Sequence, residues 1–184
     1  MGVKKEKEMK RFALSAIGRD RPGIIAAVTK ALYEHDCNIE DSSMTAIEDE
    51  FSIILIMSMP AEGDAAGLER SLRRIEDEMG LSINFNELGE RGEEGPPGNC
   101  LITVHGADKA GIVYLTADLL ARLGINITDL ETKVIGMPPV YIMLIEAYVP
   151  EQDSLPGLGQ RLKELEKTLG VTITIKPVEE AEVL

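Results

Sequence analysis

The sequence predicts an α+β protein made of two βαββαβ units in tandem, each an antiparallel four-stranded sheet with two helices on one face. Three observations lead there. The chain repeats itself, the hydrophobic period changes in the same order in both copies, and a stretch with no apolar period separates them. Sliding the 184-residue chain over itself sets Gly23 on Gly111, an offset of 88 residues. In that register Gly18 meets Gly106, Asp20 meets Asp108, Ile24 meets Ile112, Leu32 meets Leu120, and Asn38 meets Asn126. A shift of two residues, absorbed at Gly136-Met137-Pro138-Pro139, then aligns Pro60 with Pro150 and Gly80 with Gly170. Between the copies, Gly89 to Gly98 (GERGEEGPPG) breaks both helix and strand and reads as a linker. Domains of 10–89 and 99–178, joined by a linker at 90–98, follow.

The elements come in order. Phe12, Leu14 and Ala16 alternate with Ala13 and Ser15, which argues a strand. From Pro22 the spacing turns helical, with Ile24, Ile25, Val28, Ala31 and Leu32 on one face. A second extended run opens at Asn38, turns at Glu48-Asp49-Glu50 and returns from Phe51 to Met59. A helix follows with Leu68, Leu72, Ile75 and Met79 inward, and Leu81 to Phe85 close the unit as a strand. The second copy repeats this with Leu101–Val104, Gly111–Leu123, Ile125–Ile135, Val140–Val149, Leu158–Leu169 and Val171–Ile175. This order suits the ferredoxin-like arrangement. The central runs are apolar on both faces: Ile54 and Ile56 stand opposite Ile53 and Leu55, and Tyr141, Met143 and Ile145 stand opposite Ile142 and Leu144. Strands of that kind call for a second cover, from the other repeat or from another chain. The expectation is a pseudo-symmetric pair that dimerises further, as a homodimer.

Composition narrows the function classes. A content of 44% hydrophobic and 28% charged residues can bury a core. The net charge of −13 repels phosphate backbones, so direct nucleic-acid binding is not expected. The basic run of Lys4, Lys5, Lys7, Lys10 and Arg11 is mixed with Glu6 and Glu8 and reads as a solvated tail. Cys37 and Cys100 form no CxxC, and two thiols make neither a disulfide framework nor a zinc site of the usual kind. No metal or cofactor is expected. There is no apolar signal region and no run of ~18 apolar residues, and Glu6 spoils the myristoylation pattern after Met1-Gly2. A cytoplasmic protein without a membrane partner is expected.

The stretch Gly18-Arg19-Asp20-Arg21-Pro22-Gly23 has three readings. As a phosphate loop it fails, being neither GxGxxG nor GxxxxGK[ST], and so does Gly106-Ala107-Asp108-Lys109-Ala110-Gly111. As a plain helix start, Asp20 caps the helix, Pro22 is pre-set for the first turn and Arg21 faces water. As a ligand site, glycine lets something approach the backbone, and the free N–H groups of the turn hold a carboxylate. Asp20 or Asp108 would accept from an ammonium group, so a zwitterionic amino acid satisfies both needs. Asn38 and Asn126 each open the second strand 15 residues after its glycine, and that strand start is expected near the first loop. The helix-start and ligand readings both stay open on these residues. His35 ends the first helix in a packing or capping role, and His105 matches Ile17 on the sheet face. With no Ser, Cys or paired carboxylate fixed beside either histidine, no catalytic triad can be built. The carboxylates of Glu69–Glu78 and Glu164–Glu166 interleave with Arg and Lys as solvated helix faces with i,i+4 pairs.

Strand–G-x-D-[RK]-[PA]-G-I-[IV]–helix–[CI]-N-I-x-D, written twice over nearly all of 11–178, resembles tandem ACT domains of the glycine cleavage system transcriptional repressor (regulatory protein) type. The resemblance implies ferredoxin-like modules that pair side by side and bind small amino acids at their interfaces. It implicates Asp20, Arg21, Gly23, Ile24 and Asn38 in the first copy, and Asp108, Lys109, Gly111, Ile112 and Asn126 in the second. Some amino-acid-binding members carry His where Gly18 and Gly106 stand. The implied function is a non-enzymatic sensor, with glycine or serine the first ligands to consider. It would control amino-acid or glycine-metabolism genes indirectly, through a regulatory protein partner. The alternatives are a structural interaction module with empty pockets and a stand-alone regulatory subunit of an amino-acid metabolic enzyme. A catalytic domain of the kind that follows ACT domains in formyltetrahydrofolate deformylases has no room here, because the two repeats consume the chain.

Overall fold

The computed structural model describes residues 8–89, 95–150 and 155–178. Most of the basic run (Lys4, Lys5 and Lys7) and residues 90–94 of the expected linker lie outside them. The chain divides into two compact units that meet between Glu93 and Glu94. The first holds β1 (Met9–Arg19), α1 (Ile24–Glu34), β2 (Asn38–Ile47), β3 (Glu50–Pro60), α2 (Ala65–Met79) and β4 (Leu81–Leu88). The second holds β5 (Cys100–Gly106), α3 (Ile112–Arg122), β6 (Asn126–Ile135), β7 (Val140–Tyr148), α4 (Leu155–Leu169) and β8 (Val171–Pro177). The strand orders are β2-β3-β1-β4 and β6-β7-β5-β8, antiparallel throughout, so the expected βαββαβ sheets form in both copies.

Alternation along β1 sends Phe12, Leu14 and Ala16 under the helices, and Arg11, Ala13, Ser15 and Ile17 the other way. The first core closes where Leu14, Leu55 and Met57 meet Ile24, Val28 and Leu32 of α1 and Leu68 and Leu72 of α2. Phe12 and Phe85 stack at 4.8 Å beneath α2's side of the sheet. The second core repeats the plan with Ile102, Val104, Met143 and Ile145 against Ile112, Leu120, Leu158 and Leu162. Each such side chain contributes roughly 1.5–3 kcal/mol on burial. Ile25, expected on α1's inward face, instead stands 38% exposed: the buried stripe runs through Ile24, Val28, Ala31 and Leu32, one residue out of phase with it.

Two helices do not cover four strands. β2 is exposed at all ten of its residues, and β6 at nine of ten. The outer face of the first sheet is partly open, with Ile17 53% and Ile54 56% exposed. The two-residue shift between the copies sits at the hairpin tips. Ile47 pairs with Glu50 across Glu48-Asp49, whereas Ile135 pairs with Val140 across Gly136 to Pro139. Both edge strands also carry a bulge at the same place, between Ile39 and Asp41 and between Ile127 and Asp129.

The helix ends follow local chemistry. Asp64 caps α2 by accepting from Gly67 N–H at 2.7 Å, and Gly80 ends it in the left-handed region. His35 caps the end of α1, and its Nε2 lies 3.2 Å from Ser71 Oγ, which ties α1 to α2 in the packing role expected of it. The helix carboxylates pair along the surface as anticipated, Arg73 with Glu69 at 2.7 Å among them.

Candidate functional site

Each first loop ends in a glycine that holds the helix N-cap. Gly23 has φ +99° and Gly111 φ +95°, in the left-handed region where a side chain is strained. That conformation alone requires glycine here. A Cβ on Gly23 would meet only Met79 Cε at 4.0 Å, and one on Gly111 only Leu115 Cδ1 at 3.9 Å. The backbone geometry rather than crowding selects the residue.

The plain helix-start reading is corrected in three ways. No side chain caps α1 or α3, so Asp20 does not take the role expected of it. Pro22 lies before the N-cap rather than in the first turn, because the glycine's positive φ moves the start to Ile24. Arg21 does not simply face water: its Nη2 donates to Glu78 O at 3.0 Å, at the C-terminal end of α2. Lys109 repeats the device, donating to Leu169 O of α4 at 3.0 Å. Cations there answer the unpaired carbonyls and the negative end of the helix. The basic residue of each motif thus ties the first loop to the end of its domain's second helix.

Those missing caps leave the N–H groups of the first turn open. Ala27 N–H bonds Gly23 O at 2.9 Å and Leu115 N–H bonds Gly111 O at 2.9 Å, and the N–H groups before them have no intrahelical acceptor. Ile24 and Ile112 are 1% exposed as whole residues, backbone included, whereas the next two residues of each first turn, Ile25 and Ala26 or Val113 and Tyr114, are exposed. Asp20 and Asp108 are exposed at the same end of their sheets. Asp20 N–H donates to Asp49 O at 2.7 Å, which fixes the loop against the β2–β3 hairpin.

Asn38 and Asn126 are not brought to this end. Asn38 pairs with Ser58, whereas Gly18 pairs with Phe51, seven positions away along β3. Asn126 likewise pairs with Tyr148 and Gly106 with Tyr141. At ~3.3 Å per residue the strand start and the loop stand roughly 23 Å apart. The reason is topological. β2 runs parallel to β1 after α1 has crossed back, so it starts where β1 starts and reaches the loop end only at Ile47.

Gly18 and Gly106 have a packing reason of their own. A Cβ on Gly18 would lie 2.9 Å from Leu81 Cδ2 and 3.0 Å from Gly80 O, and one on Gly106 3.1 Å from Val171 Cα. A side chain at either position would require the start of β4 or β8, or the end of the Leu81 side chain, to give way.

One residue beside the loop escaped the sequence reading as anything but core. Tyr141 stands where the first copy has Phe51, each paired with its loop-end glycine, Gly106 or Gly18. Burial pushes the Tyr141 phenol above its ordinary value, and the neighbouring Asp108 carboxylate adds to the rise. A polar residue aligned with an apolar one in the other repeat was the signal that could have found it. Elsewhere among the described residues no group of three or more His, Cys, Asp or Glu side chains is placed to hold a metal ion. No helix among them is long and apolar enough to cross a membrane.

Comparison with known proteins gives this geometry a context. The ACT domain family matches residues 10–86 and again 99–176. A UPF0237 protein of Methanopyrus kandleri is 34% identical over 76 residues, 41% of this chain and 84% of that protein. The glycine cleavage system transcriptional repressor of Escherichia coli is 27% identical over 123 residues, 66% of this chain and 64% of that protein. Among solved structures, an unknown protein from Galdieria sulphuraria superposes with a TM-score of 0.80 at 26% identity, over 94% of this chain and all of that one. A putative glycine cleavage system transcriptional repressor shares the fold, with a TM-score of 0.69 at 20% identity over 94% of this chain and 99% of that one. With the motif, the sheet order and the glycine-led helix start all present twice, the chain belongs to the ACT domain family and carries two copies of that domain.

Proposed function

We propose that this ACT-domain protein is a non-enzymatic regulator that binds a small amino acid, glycine or serine the first choices, and passes the signal to a separate regulatory protein. The observation that carries the reading is the uncapped helix start beside an exposed acid, present in both domains. The N–H groups of Ile25 and Ala26, or of Val113 and Tyr114, receive the ligand carboxylate at the positive end of the helix. Asp20 or Asp108 receives the ammonium group.

The distance between loop and asparagine gives the dimer a role. A site that includes Asn38 or Asn126 needs a second ACT domain, with edge strands running antiparallel, so that one domain's loop end meets the other's strand start. The fully exposed β2 edge suits such pairing in a homodimer. A ligand lodged there favours one packing over another, and that difference is the signal. The sequence relatives named as a transcriptional repressor support glycine metabolism as the setting. A net charge of −13 supports control through a partner rather than through contact with DNA.

Thermal denaturation of the full chain with each of the twenty amino acids tests this. A ligand at 100 times its dissociation constant adds about 2.7 kcal/mol. Absence of a shift with every amino acid would end the sensor reading. Where one binds, Asp20→Ala and Asp108→Ala identify the domain that holds it.

A further inference from the structure

The two loop ends are not chemically equal. Tyr141 is 8% exposed and Phe51 2%, at the same place in the two sheets. The Tyr141 hydroxyl has no hydrogen-bond partner among the described residues. It is not sealed in the core either, since no buried side-chain oxygen or nitrogen is left unpaired there. In the sheet the residue is flanked by Gly106, which has no side chain, and by Val134 of the exposed edge strand. Asp108, the residue assigned to the ligand's ammonium group, is close enough for its charge to act on the phenol. An unpaired hydroxyl on a buried ring, opposite the glycine that leads into the loop of an uncapped helix and within reach of an acid's charge, is an arrangement that awaits a polar group from outside.

We propose that Tyr141 makes the second domain selective for an amino acid bearing a side-chain hydroxyl, while Phe51 leaves the first domain without that preference. The inference rests on the amino-acid-binding reading above and deepens it by naming the ligand class of one site. The N–H groups of α3 take the carboxylate, Asp108 the ammonium group, and the phenol exchanges a hydrogen bond with the ligand hydroxyl. In the first domain the phenyl ring of Phe51 can only pack against a ligand, so serine and alanine are held alike there.

The test uses the full chain, serine and alanine as paired probes, and titration calorimetry. In the wild-type protein one site should prefer serine. Tyr141→Phe should lower the serine-over-alanine ratio at that site about tenfold, the loss of one hydrogen bond, while the alanine affinity stays the same. Phe51→Tyr should create a serine preference in the first domain. An unchanged ratio in Tyr141→Phe overturns the inference and leaves amino-acid binding standing, whereas no binding of any amino acid by the wild type removes both. Should Tyr141→Phe fold poorly, the wild-type chain labelled at tyrosine Cζ answers the same question. Serine must shift the Tyr141 resonance beyond what alanine does, and equal shifts sink the idea.

Discussion

Gly23 shows how recurrence in the sequence and backbone conformation give separate reasons for the same residue. Its recurrence at Gly111 suggests room for a ligand, yet the φ of +99° gives a sufficient reason with no ligand present. A non-glycine residue in the left-handed region costs about 1–2 kcal/mol. Gly23→Ala should therefore destabilise the first domain by that amount, read as a lower thermal midpoint, with the second domain unchanged. Arg21 and Lys109 were visible as cations in a motif, but their acceptors lie at the end of another helix, 57 and 60 residues away. No local pattern reveals a carbonyl that becomes available only where a distant helix stops. Tyr141 was hidden for a different reason: in a run of buried residues its hydroxyl looks like an incidental part of a core ring.

At the level of elements the sequence was legible almost throughout, because each strand and helix carries its own period. Phe12, Leu14 and Ala16 alternate, Val28 and Leu32 recur at helical spacing, and glycines or polar residues mark the ends. What the period does not encode is which end of a strand faces which loop. Asn38 opens β2 as expected, yet register places it level with Ser58 rather than with Phe51. Adjacency between elements is a property of the sheet, and the 15-residue spacing from Gly23 measures only the length of the return path through α1. The edge itself invites a prediction. Met44 of β2 is 56% exposed and lies beyond the reach of the helices, so Met44→Lys should leave the domain's stability within about 0.5 kcal/mol. A lysine on an edge strand opposes pairing, and if the proposed pairing through β2 forms, light scattering should report a smaller particle for the variant than for the wild-type chain.

For the whole molecule, the separate cores set the expectation. The apolar cluster around Leu14 and that around Ile102 belong to different units. Leu14→Ala should cost the first unit about 2–5 kcal/mol and split the calorimetric transition in two. Amide exchange in β5 to β8 should stay at the wild-type level. A single transition lowered as a block would show instead that the two domains unfold as one. The duplication was legible at this scale because identity at fixed offset survives even where the role of each residue does not.

That duplication has a consequence for how such a protein can change. A domain that pairs with an identical copy of itself receives every substitution twice, once on each side of the pair. Two copies written in one chain escape that constraint. Phe51 and Tyr141 occupy the same place in their sheets, yet a single codon can alter one without touching the other. The tandem chain can therefore keep one domain unaltered while its neighbour is free to diverge.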